Sequence, residues 1–230
     1  MLFENPISKE EAHKATIERA GSMGSALNAI FYLKIANVIL TPIRAITLMT
    51  AAYAVGGSLF QNSGSVLNNV LSITGIIIAL AIGVLFIIMG KHYNDLTVAG
   101  ACFIAATLCQ AANSRITLIL YIIAAVIYSI KYTSAMSESL AGISNSCSKG
   151  WDMLLTAYKI IYISMLVCAF LIFLPPLRII VLLIAILAVV ASFAFAIYEL
   201  FLLKVSANSM IRYGRQRFSP NNLSKVDGAS

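Results

Sequence analysis

The sequence predicts an all-α, polytopic helical membrane protein with about six transmembrane helices and both termini in the cytosol. Three observations predict it. Of the 230 residues, 60% are hydrophobic and only 11% are charged, where a soluble domain usually carries about 25% charged residues. The apolar residues collect in runs close to the roughly 20 residues that a bilayer core of about 30 Å requires. Threading six spans from a cytosolic N-terminus puts all but three of the 16 Lys and Arg residues on the inner side. The exceptions are Arg115 and Arg178 outside and Arg44 within a span. That positive-inside asymmetry sets the orientation, and five or seven spans would scramble it.

Residues 1–25 are polar and charged, unlike a cleavable secretory signal. Within them, 8–20 predicts a short cytosolic helix. Ser8 and Glu11 have capping-box spacing, and Glu10 with Lys14 forms an i,i+4 pair. The segment 26–36, ALNAIFYLKIA, is too short to span before Pro42. It is expected to lie at the inner interface as an amphipathic helix, with Lys34 reaching the headgroups. The bundle proper is expected over 37–204, with spans at 37–60, 68–90, 96–113, 115–136, 159–175 and 177–204. Each should be helical because hydrocarbon offers backbone groups no partners. Pro175 and Pro176 make a sharp stop between the last two spans.

Two inner segments complete the chain. Residues 137–150, SESLAGISNSCSKG, are small and polar and predict a flexible loop. After it, Trp151, Leu154, Leu155 and Tyr158 recur at helical spacing, with Asp152, Thr156 and Lys159 off that stripe. Either this is an interfacial helix with Trp151 and Tyr158 anchored in the aromatic belt, or it is the inner end of the fifth span. Residues 205–230 read as a basic, largely disordered cytosolic tail.

Helices in lipid associate where small residues recur at four-residue spacing. Gly75, Ala79 and Gly83 supply such a face in the second span, and Ala188, Ser192 and Ala196 in the sixth. Packing within one chain is favoured over self-association. The third span is small almost throughout and is expected at the centre of the bundle.

The catalytic inventory is thin. No metalloprotease, nucleophile-elbow, P-loop or paired CxxC motif occurs. His92 and Asp95 are three residues apart in the turn after the second span, the weak candidates for an enzyme. A solvated loop histidine is the plainer explanation. Of the four cysteines, Cys102, Cys109 and Cys168 lie in apolar runs and Cys147 among serines, so no disulfide framework, metal or cofactor is expected. The formal charge of +7 belongs to the inner face, and no nucleic-acid partner is expected.

The sharpest site candidate is an intramembrane pair of Arg44 with Glu199, both expected in the inner third of their spans. Snorkelling of Arg44 to the headgroups, or pairing of Glu199 with Lys34 or Lys204, are the alternatives. Pro42 removes a helical hydrogen bond nearby. With Asn37, Thr41, Thr47 and Thr50 it forms a candidate polar kink. These features favour a non-enzymatic membrane-complex or membrane-organising component. Its partners would be the bilayer, an anionic lipid at the basic tail, and a cytosolic or membrane protein. A small transporter, channel or substrate-binding membrane subunit for a neutral or weakly polar solute is the alternative, and an interfacial enzyme the third.

Overall fold

A computed structural model describes residues 6–53, 58–91, 93–112, 115–171 and 178–216. Among them the protein is all-helical, 96% helix without strands. The helices are α1 (Pro6–Tyr53), α2 (Ser58–Met89), α3 (Asn94–Ala112), α4 (Arg115–Leu140), α5 (Asn145–Leu171) and α6 (Arg178–Gln216). All six are long and apolar enough to cross a membrane.

Three stretches differ from the sequence expectation. The segments 8–20, 26–36 and 37–53 fall on one continuous helix, because no residue between them breaks the hydrogen-bond ladder and Pro42 is accommodated inside it. Thr41 and Thr47 donate their hydroxyls to the carbonyls of Asn37 and Ile43, each at 2.9 Å. These bonds give two carbonyls beside the proline an extra partner.

The expected loop 137–150 shrinks to four residues between α4 and α5. Gly142 adopts φ 84°, which ends α4 without a Cβ penalty. Ser144 then accepts the N–H of Cys147 at 3.5 Å, the position of a helix N-cap. The serines read as loop residues instead join the two helices. Ser137 Oγ donates to Ser148 O at 3.3 Å, and Ser148 Oγ donates back to Ser137 O at 3.1 Å.

The third difference is that α6 does not end near 204. Its last turns are amphipathic, and Ser206, Ala207 and Met210 are fully buried. That burial holds as helix the first part of what composition alone reads as tail.

The chain forms two compact units, one comprising the described residues to Ala29 and from Thr133 onward, the other Ile30–Tyr132. In the first, Leu27, Trp151, Leu154, Leu203, Ala207 and Met210 are wholly buried. Here α1 and α6 approach closely at glycines. A Cβ on Gly24 would stand 2.9 Å from Ile211 N, and one on Gly214 would stand 3.1 Å from Gly21 Cα. In the second unit Phe86, Leu96, Ala99 and Tyr132 form the core. Here α2 and α3 approach closely at backbone level, where a Cβ on Gly100 would meet Gly83 O at 2.7 Å.

Outside these cores the helices carry large exposed apolar side chains, among them Ile77, Ile119, Ile163 and Leu187. A water-soluble surface rarely groups such residues. Lipid tails accept them without penalty. The third helix is less enclosed than its composition suggests, since Ala101, Ala105 and Leu108 face outward.

Candidate functional site

In the unit Ile30–Tyr132, four helices converge on an aromatic cluster. Tyr128 and Tyr132 are one turn apart on α4, and their rings stack at 5.5 Å with planes 4° apart. Phe86 of α2 lies 4.8 Å from the Tyr132 ring, and Phe103 of α3 lies 4.8 Å from the Tyr128 ring. Lys34 of α1 donates from Nζ to Tyr128 Oη at 3.2 Å, and its ammonium sits 5.0 Å from the centroid of Tyr132. A cation over a ring in a dry setting contributes up to about 2 kcal/mol. The lysine expected among headgroups is therefore engaged with tyrosines.

Near the α2–α3 turn, Lys131 donates to both carboxylate oxygens of Asp95, at 2.9 and 3.1 Å. Asp95 is thus held by a cation on the neighbouring helix. His92, its expected companion, lies outside the described residues.

The candidate kink occupies the same unit. Asn37 is half-buried, Thr41 and Pro42 are exposed, and Thr47 is buried. The side chains of Arg44 and Thr50 lie outside the described residues, and with Arg44 so does the expected pair to Glu199. Of the small-residue face on α2, Ala79 and Gly83 are buried, and Gly75 lies opposite Asn37 Oδ1 at 3.8 Å from its would-be Cβ.

The other unit ties α5 to α6 at two points. Trp151 Nε1 donates to Ser206 Oγ at 2.9 Å, and Tyr158 Oη donates to Glu199 Oε2 at 2.9 Å. The indole is wholly buried and points at a helix rather than outward. Lys204 donates to Asn28 Oδ1 at 2.7 Å, fixing α6 to α1. On α6, Ala188 is half-buried while Ser192 and Ala196 are exposed. The sequence singled out Glu199, Trp151 and Tyr158 for separate roles; Tyr158 and Glu199 meet.

No protein-family model, curated protein or solved structure matches this chain.

What the site can do must then come from its own chemistry. Hollows open around the last turns of α6. One of about 380 Å³ is lined by Ile143, Ser144, Val205, Asn208, Ser209, Arg212 and Tyr213. A neighbour of about 370 Å³ shares Asn208 and Arg212 and adds Ile211 and Arg215. A third, about 620 Å³, lies where Glu18, Gly21 and Ser25 of α1 face Gly214 and Arg215. Among the described residues, no three His, Cys, Asp or Glu side chains gather as a metal site would need.

Proposed function

We propose that the protein is a multi-pass membrane protein with both termini on the cytosolic side, acting without catalysis as a membrane-complex or membrane-organising component. The observation that carries this reading is how its polar side chains are used. Lys34, Asp95, Lys131, Glu199 and Lys204 each bond to a side chain of another helix within their own unit. Groups used this way hold helices together, which supports a packing role for them over one along a solute path. Thr41 and Thr47, the hydroxyls best suited to contact a passing ligand, bond instead to their own helix. The cavities cluster at the basic end of α6, which suits a working surface at the cytosolic headgroups.

Two experiments test this. Single cysteines at Asn62 and Lys149 should label from opposite faces of sealed vesicles, and labelling from one face would overturn the orientation. The purified chain, reconstituted into vesicles, should leave the swelling rates for glycerol, urea and alanine at those of empty vesicles. Accelerated swelling would replace this reading with the transport one.

A further inference from the structure

We infer that the hollow between the α4–α5 turn and the end of α6 binds a phosphate group, carried by a lipid headgroup or free in solution. Its lining supplies donors and no carboxylate. Arg212 contributes a guanidinium, Asn208 an amide, and Ser144, Ser209 and Tyr213 hydroxyls. Arg212 is exposed and makes no ion pair among the described residues. The adjoining hollow, again without a carboxylate, brings Arg215 to the other side of Arg212 and Asn208. Two arginines facing shared space repel each other, and Glu18 faces Arg215 only in the α1–α6 hollow, so an anion between the arginines is favoured. A planar guanidinium matches phosphate oxygens two at a time. The volume falls in the ordinary range for small-ligand pockets, roughly 300–1,000 Å³.

The walls are rigid, which favours a built site over a mobile tail. Ser144 is set by its capping bond to Cys147, and Gly142 fixes the turn before it. On the far wall, Ala207 and Met210 hold α6 in the core while Asn208 and Arg212 remain outside. The lining is also graded along α6. Val205 lies two turns nearer the apolar part of the helix than Arg212, a distance of about 10 Å at 1.5 Å per residue. An apolar end and a cationic end one headgroup apart fit a phospholipid entering from the bilayer surface.

The lipid source rests on the proposed cytosolic placement of this end; the phosphate chemistry does not. The full chain in dodecyl maltoside is titrated calorimetrically with dioctanoyl phosphatidic acid, dioctanoyl phosphatidylcholine and inorganic phosphate. Phosphatidic acid is expected to bind, and Arg212→Gln to weaken it at least tenfold, with Arg212→Lys intermediate. Inorganic phosphate binding as tightly as phosphatidic acid assigns the site to free phosphate. Binding by phosphatidic acid alone assigns it to lipid. Equal affinity for phosphatidylcholine and phosphatidic acid, no heat in any arm, or an unchanged affinity in Arg212→Gln overturns the inference. Should Arg212→Gln lose its monodisperse elution, Asn208→Leu fills the hollow without altering charge and must give the same loss. Detergent solution has no sides, so a failure here is separate from a failure of the Lys149 labelling.

Discussion

Replacing Gly100 by alanine tests the close backbone approach of α2 and α3. The new Cβ would lie 2.7 Å from Gly83 O, 2.8 Å from Ile87 Cγ1 and 3.0 Å from Ile87 N. Carbon contacts are comfortable at about 3.5–4.0 Å. Two of the three obstacles are backbone atoms, which no side-chain rotation can remove, so α2 and α3 must part by up to an ångström. Overpacking of this kind costs about 1–3 kcal/mol. Alanine regains about 1 kcal/mol as the better helix former, leaving a net loss of up to about 2 kcal/mol.

Gly21→Ala is the internal reference. Nothing stands within 4 Å of a Cβ there, so only the helix-propensity gain remains. The difference between the two variants isolates the steric penalty, about 1–3 kcal/mol. Reversible unfolding is followed by helical circular dichroism as dodecyl sulfate is titrated into dodecyl maltoside. A Gly100→Ala midpoint equal to or above wild type would refute the close crossing of α2 and α3.

Other expectations follow from single contacts. Ser206→Ala strands a buried indole N–H and should cost about 1–3 kcal/mol, whereas the same change on a Trp151→Phe background should be nearly neutral. Asp95 and Lys131, with side chains 33% and 43% exposed, should couple by no more than about 1 kcal/mol in a double-mutant cycle, shrinking as salt rises; a larger, salt-independent coupling would place the pair in a drier setting. If Arg44 pairs with Glu199, alanine substitutions there are non-additive, and strictly additive losses would rule out direct coupling.

The helical class was legible because lipid enforces it: long apolar runs with few charges admit few other structures. The element ends were less legible. SESLAGISNSCSKG has loop composition, yet its small hydroxyls are what two close helices need between them, and only Gly142 marked the real turn. The tail 205–230 was read from its Arg, Ser and Asn content, which concealed that Ala207, Met210 and Gly214 form the face turned to the core. One contact could have been found by counting. Asp95 and Lys131 stand nearly equidistant in sequence from residues 113–114, between α3 and α4, so pairing the two helices antiparallel brings them level. The α5–α6 contacts had no such marker. Once Trp151–Ser206 is known, Tyr158–Glu199 follows, because each helix advances seven residues between the two bonds. The phosphate hollow was invisible because Ser144 and Arg212 come from segments both read as unstructured.

Trp151 is the one tryptophan in the chain, and it is enclosed where α5 meets α6. The protein therefore carries its own optical probe. Its emission reports on the core around the Trp151–Ser206 contact, without dye or label. A red shift marks the moment water reaches Ser206, and quenchers confined to lipid or to water tell from which phase the opening came. Separation of α5 from α6 can thus be timed against loss of total helix, which resolves whether this hairpin parts before or together with the rest of the protein.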